Sequence, residues 1–254
     1  MTGKRAAKPV EKQAAKQDET QAAKQVGKQV GKQIDKQVGK QVGKQINKRV
    51  DKLDVKRSAK QPTETHAEET IRRCTWAQSD PQMQTYHDEE WGIPLRDSRA
   101  LWETLMLEGF QAGLSWLTVL RKREAFRKAF AGFDPYKVAR FGDKHIDALM
   151  ANEGIIRARA KINATIQGAQ IFCEMEKRGE DFAQYCWSFT EGKVVHGDGL
   201  TLPATTALSE HVSKDLKRRG FKFCGPTITY AWLQAVGIVN DHAASCVSRH
   251  GDEA

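Results

Sequence analysis

Two pairs of metal-binding side chains bracket the aromatic-rich part of this chain. Cys74 is followed after twelve residues by His87, and His242 after three residues by Cys246. On a helix, residues four apart share a face, so His242 and Cys246 can reach one ion together. Two histidines and two cysteines make the tetrahedral donor set of a closed zinc site. With all four positions filled by protein, no position is left for an activated water, so such a zinc would be structural. The spacing alone also fits an ordinary buried cysteine, a surface histidine and a chance His-x-x-x-Cys.

A second constellation lies between those ligands. Trp76, Tyr86, Trp91 and Trp116 stand beside turns, several of them Gly-rich, where side chains open onto clefts. Glu108 falls on the same helical stripe as Leu101 and Leu105, facing the interior or a cleft. A carboxylate there costs several kcal/mol unless it is paired or used. Rings plus one acid suit a pocket for a flipped nucleobase, the rings stacking and the acid reading donors on the base edge. An acid bonded to backbone at the following turn, and tryptophans serving as core, remain the plain alternatives.

The third feature is the run Arg218-Arg219-Gly220-Phe221-Lys222-Phe223-Cys224-Gly225-Pro226-Thr227. A helix stops at Gly220, and a new one starts just past Gly225. Amides at that start, with Lys222 nearby, can hold a phosphate. A plain helical hairpin fits the same residues.

The elements that must position these groups read as helices. Asp97-Ser98 caps a helix carrying Leu101, Leu105 and Glu108, and Gly109 and Gly113 are expected to break it. Ser115 caps the next, running to about Phe130. Residues 143–151, 157–178 and 180–189 follow, then a helix marked by Val212 and Leu216, then Thr227–Val236 with Pro226 in its first turn and Gly237 at its end. The expected class is all-α, in a domain spanning residues 71–254.

Residues 1–70 differ in kind. They hold no Trp, Tyr, Phe or Cys, and carry 17 Lys/Arg against 9 Asp/Glu, whereas residues 71–254 carry 24 against 23. The high isoelectric point therefore reports on this arm and does not argue for nucleic acid at the domain. From about Lys24 to Asn47 the unit Lys-Gln-Val-Gly recurs every four residues. Its repeated glycines oppose a stable helix, so a disordered basic arm is expected, either a solvated extension or a non-specific phosphate tether. Neither an apolar run of membrane-spanning length nor a secretory signal is seen. Five scattered cysteines suit a reducing compartment, and a cytoplasmic location is expected.

Taken in order, these pieces resemble the 3-methyladenine DNA glycosylase I family, within the helix-hairpin-helix glycosylases. The resemblance covers roughly residues 72–250. It runs through Arg73-Cys74, Tyr86-His87-Asp88, Glu90-Trp91-Gly92, Leu107-Glu108-Gly109, Gln111-Ala112-Gly113-Leu114-Ser115-Trp116, Gly154-Ile155-Ile156-Arg157, Lys161-Ile162, Trp187-Ser188-Phe189, Arg219-Gly220-Phe221-Lys222-Phe223 and Asn240-Asp241-His242. It implies a helix-hairpin-helix fold and a monofunctional enzyme that excises 3-methyladenine from alkylated double-stranded DNA, acting as a monomer. It implies one structural zinc on Cys74, His87, His242 and Cys246, joining the two ends of the domain. Glu108 becomes the pocket acid, Tyr86 and Trp116 the stacking partners, and Trp76 and Trp91 the pocket lining. Leu114 becomes the side chain that enters the duplex, and the hairpin with Lys222, Gly225 and Thr227 grips the backbone. Pro226-Thr227-Ile228 stand where bifunctional relatives place a nucleophilic lysine, so no lyase step is expected. Asp241, near the superfamily's usual catalytic Asp, is expected to support structure, and the 1–70 arm has no counterpart in a typical member. The competing class is a zinc-stapled DNA-binding module without catalysis.

Overall fold

In the computed structural model the described residues are 72–250. The basic arm expected over residues 1–70 lies outside them. Nine α-helices are formed among the described residues: α1 (Pro81–Glu89), α2 (Ser98–Gln111), α3 (Trp116–Ala129), α4 (Pro135–Val138), α5 (Asp143–Ala151), α6 (Arg159–Lys177), α7 (Phe182–Ser188), α8 (Ala207–Arg219) and α9 (Pro226–Ala235). None of the described helices is long and apolar enough to cross a membrane.

Local chemistry sets most of these ends. The Asp97 carboxylate accepts from the Ala100 amide at 2.8 Å and starts α2, while the Ser115 hydroxyl accepts from the Thr118 amide and starts α3. Gly220 ends α8 in the left-handed conformation at φ 103°. Asp80 followed by Pro81 starts α1, a capping signal that the reading of the sequence passed over; its carboxylate accepts from the Gln82 amide at 2.8 Å. Ser98 does more than begin α2. Its hydroxyl donates to Asp181 at 2.7 Å and accepts from the Ala183 amide at 2.8 Å, docking α7 against α2.

One expectation needs correction. Gly109 does not break α2, which runs on to Gln111. The hairpin packs against α2 here: a Cβ at Gly109 would meet the Phe223 Cβ at 3.5 Å, an ordinary contact that does not itself require glycine. The described residues are otherwise mostly helical, as expected, with one short exception. A two-residue parallel pair, β1 (Val195–His196) and β2 (Val239–Asn240), joins Val195 to Val239 and His196 to Asn240 in register. Two residues per strand carry no alternating pattern, so hydrophobic periodicity is silent there.

The core gathers around α2 and α9. Trp102, Phe110, Phe126, Phe130, Phe133 and Trp232 are fully enclosed, and the Trp232 indole donates to the Leu101 carbonyl at 3.1 Å. A smaller cluster of Cys74, Tyr86, Trp91, Leu120, Ala235 and Cys246 sits apart from this core. Four of its members, Cys74, Tyr86, Trp91 and Cys246, are among the candidate site residues, and Trp76 and Trp116 pack against it. The chain passes from α9 to β2 through Gly237 at φ 67°, where a Cβ would lie 2.3 Å from the carbonyl carbon of Ile93. Only glycine allows that approach of backbone to backbone.

Candidate active site

A cleft of about 280 Å³ is lined by Trp76, Tyr86, Trp91, Glu108 and Trp116, all five residues expected of a base pocket. Tyr86 and Trp116 have ring centroids 5.4 Å apart, and Trp76 meets Trp91 edge-on at 4.9 Å. Met83, Gln111, Leu202 and Gln234 also line it and were not picked out as pocket residues from sequence. They come from four separate segments, and spacing along the chain does not tell which distant segments share a cavity.

Three buried polar atoms of this cleft are unsatisfied. Glu108 is 3% exposed, and its Oε2 has no hydrogen-bond partner; nor do the Gln111 Oε1 and the Trp116 Nε1. Buried polar atoms are nearly always bonded, so three bare ones lining one cleft indicate a ligand that bonds them. Burial pushes the Glu108 carboxyl up to about 8. Burial, with the acids Glu108 and Glu90 nearby, also holds the Tyr86 phenol well above its ordinary value, so it stays neutral. A neighbouring cleft of about 270 Å³ shares Tyr86 and Trp116. Its arginines are already taken up by the pairs Arg123–Glu90 and Arg127–Glu103, and neither Glu108 nor Gln111 lines it.

Adjacent residues of α1 face different tasks. Tyr86 lines the cleft, whereas His87, fully buried, meets the cysteine sulfurs. Donor atoms of Cys74, His87 and Cys246 all lie within 4.8 Å of one another. His242 is beside them but outside that group, its ring 5.0 Å from that of His87. The His87 Nδ1 sits 2.8 Å from the Asp88 carboxylate, which also takes the Arg73 guanidinium, so Nε2 is the nitrogen turned toward Cys246 at 3.4 Å. A carboxylate orienting a histidine in this way is common around bound metals. Burial raises the Cys74 thiol to about 11. Gly92, at φ 82°, lets the chain pass the second histidine, for a Cβ would sit 2.5 Å from the His242 Cε1. Trp91 is the shared wall: it lines the cleft and packs edge-on against His242 at 4.6 Å.

The expected DNA-facing groups lie just past the C-terminal end of α2, the end that carries Glu108 and Gln111, and in the hairpin. Leu114 is 44% exposed in the turn between α2 and α3, next to Gly113 at φ 83°. In the hairpin, Lys222 and Thr227 are exposed and Gly225 is the N-terminal cap of α9. The two arginines before Gly220 are not free cations. Arg219 pairs with Glu180 at 2.6 Å and with Asp215 at 3.1 Å and lies over the Tyr185 ring, while Arg218 also pairs with Asp215. The basic turn therefore presents Lys222 rather than the whole run.

Residues 76–250 match the family described as methyladenine glycosylase. The DNA-3-methyladenine glycosylase 1 of Escherichia coli is 46% identical over 186 residues, covering 72% of this chain and all of that protein. This chain belongs to the methyladenine glycosylase family. The DNA-3-methyladenine glycosylase of Haemophilus influenzae is 47% identical, covering 68% of this chain and 96% of its own. A crystal structure of a 3-methyladenine DNA glycosylase I superposes with a TM-score of 0.68 at 47% identity, over 69% of this chain and 98% of that one. The Staphylococcus aureus enzyme does so with a TM-score of 0.67 at 38% identity, over 70% and 96%.

For a member of the methyladenine glycosylase family, the place of Asp241 is informative. It is 4% exposed and accepts from the Tyr230 hydroxyl and from the Gln234 amide at 2.7 Å. Both donors are on α9. The carboxylate thus clasps β2 to that helix and fixes which end of the Gln234 amide it holds, leaving the Gln234 oxygen as the acceptor available to the cleft.

Proposed function

We propose that this chain is a DNA base-excision glycosylase that hydrolyses the bond between 3-methyladenine and deoxyribose in alkylated double-stranded DNA and leaves an abasic site. The observation that carries the reading is the buried, unpartnered Glu108 carboxyl in an aromatic cleft, in a chain of this family. The Staphylococcus aureus relative is described by its recognition of 3-methyladenine.

The chemistry asks little of a catalyst. Methylation at N3 makes the adenine cationic, so the glycosidic bond breaks with the base leaving as a neutral molecule. Water supplies hydroxide to the sugar C1′, and its remaining proton goes to solvent. The protein has to extract the nucleotide, hold the base and favour the oxocarbenium-like transition state. Tyr86 and Trp116 offer electron-rich faces to a cationic base, each worth roughly 0.5–2 kcal/mol. Glu108 and the Gln111 oxygen face the amino hydrogens of adenine, and the Trp116 indole offers a donor to a ring nitrogen. A guanine carbonyl in place of the amino group would confront those oxygens with an acceptor. No lysine stands at residues 226–228, consistent with hydrolysis without a lyase step.

Leu114 fills the space left by the extracted nucleotide, and Lys222, Gly225 and Thr227 bind the backbone in the manner of a helix-hairpin-helix. Cys74, His87, Cys246 and His242 suit one structural zinc: a buried sulfur–nitrogen cluster with an oriented histidine, distant in role from the bond that breaks. When bound, the ion supplies a cross-link between the two ends of the domain. The deciding experiment measures base release from duplexes carrying 3-methyladenine, 7-methylguanine or hypoxanthine. Release of 3-methyladenine above the others is expected. Tight duplex binding with no base released would replace the enzyme with a binding module.

A further inference from the structure

Lys161 has no role in the reading above, yet its ammonium group occupies a joint between three elements. It is the third residue of α6, where its charge faces the unfavourable end of its own helix dipole, so local helix energetics do not account for it. Its Nζ instead crosses to the far end of α2, donating to the carbonyls of Phe110 at 2.8 Å and Ala112 at 2.7 Å. These belong to the orphan acceptors that a helix leaves at its C-terminus. The same nitrogen lies 5.8 Å from the centre of the Phe223 ring in the hairpin.

What these bonds hold is the turn that follows. Ala112 leaves the helical conformation at ψ 114°, Gly113 takes φ 83°, and Leu114 projects into solvent before Ser115 starts α3. Within the turn, the Leu114 amide donates to the Gln111 carbonyl at 2.7 Å, and Gln111 lines the base cleft. We infer that Lys161 is a positioning residue for duplex opening: it clamps the end of α2 so that Leu114 stands at a fixed angle to the cleft and to the hairpin. The inference rests on the proposed role of Leu114. A wedge on a loose turn would lose its orientation before entering the stack, and a displacement of about 1 Å can lower a rate about 100-fold.

A double-mutant cycle separates this from a general structural role. Release of 3-methyladenine from methylated duplex is measured for wild type, Lys161→Met, Leu114→Ala and the pair, alongside binding of free 3-methyladenine followed by tryptophan fluorescence. Lys161→Met is expected to slow duplex release by about 10- to 100-fold, to leave free-base binding within about twofold, and to add little in the Leu114→Ala background, since the two act as one unit. Lys161→Gln, which keeps a shorter donor, serves if the methionine variant does not fold. Equal losses in both backgrounds, or a parallel loss of free-base binding, would overturn the inference while leaving the wedge intact. Full duplex activity in Leu114→Ala would remove the wedge itself, and the inference with it. A salt dependence shallower by about one phosphate in Lys161→Met would mean that Nζ grips the backbone directly, which also overturns the clamp.

Discussion

A carboxyl that is 3% exposed and held near 8 is mainly protonated at neutral pH in the free protein, and this has two measurable consequences. The first concerns stability. Unfolded, Glu108 ionises in the ordinary carboxylate range; folded, it keeps its proton until about pH 8, so the native state binds more protons between those values. Stability therefore falls as pH rises through that window and levels off above it, a loss of several kcal/mol if the whole shift is expressed. Glu108→Gln, of the same size and never charged, should melt higher than wild type at pH 8 and equal to it near pH 4, as thermal unfolding against pH will show. The second consequence is chemical. The same variant cannot complement a cationic base with an ionised group, so its release of 3-methyladenine should drop at least about tenfold. A variant that is both unstabilised at pH 8 and fully active would displace Glu108 from the site. Trp116→Ala tests the stacking face. Base–aromatic stacking contributes about 1–3 kcal/mol, so free 3-methyladenine should bind about 10- to 100-fold more weakly, as equilibrium dialysis can measure.

At the scale of elements, glycines and caps decide more than propensity does. Gly237 combines a positive φ with a contact between backbones, so Gly237→Ala meets both left-handed strain and a clash that no side-chain rotation relieves. A loss of at least about 2 kcal/mol is expected, read from the denaturant midpoint; a midpoint unchanged from wild type would show that the approach relaxes cheaply. The caps were legible in the residues themselves. Asp97, Ser115 and Gly220 mark helix ends by their own hydrogen bonds or conformation, and the structure places them at those ends. Gly109 misleads because a glycine inside a helix cannot be told by residue type from one that ends it. Glu108 was legible because its period matches that of Leu101 and Leu105. Gln234, Leu202 and Lys161 were not, since their significance depends on which distant segment they meet. Lys161 is 49 residues from the carbonyl of Ala112, and no periodic pattern reports such a crossing.

For the whole molecule the question is what closes the two ends of the described domain on each other. Two hydrogen bonds join them directly: the Val247 amide donates to the Arg72 carbonyl at 3.0 Å, and the Ala243 amide to the Cys74 sulfur at 3.3 Å. The first joins two exposed residues and the second ends on a sulfur, a weak acceptor, so these two bonds by themselves hold the ends weakly. A metal across Cys74, His87, His242 and Cys246 would instead close a loop of some 170 residues, which in the chain-entropy account of cross-links is worth about 5 kcal/mol. Binding would also strip the proton from a Cys74 thiol that burial holds at about 11, so zinc affinity should fall as pH falls. Removing zinc with a chelator should therefore lower the melting temperature by many degrees, more readily at acidic pH. The cleft meets the metal cluster only through Trp91 and the neighbouring rings, so the protein still folded should keep its preference for 3-methyladenine over 7-methylguanine. Melting curves and base-release ratios on the same chelated sample decide between a fastening and a catalytic ion. Activity abolished at an unchanged melting temperature would mean that the ion takes part in breaking the bond.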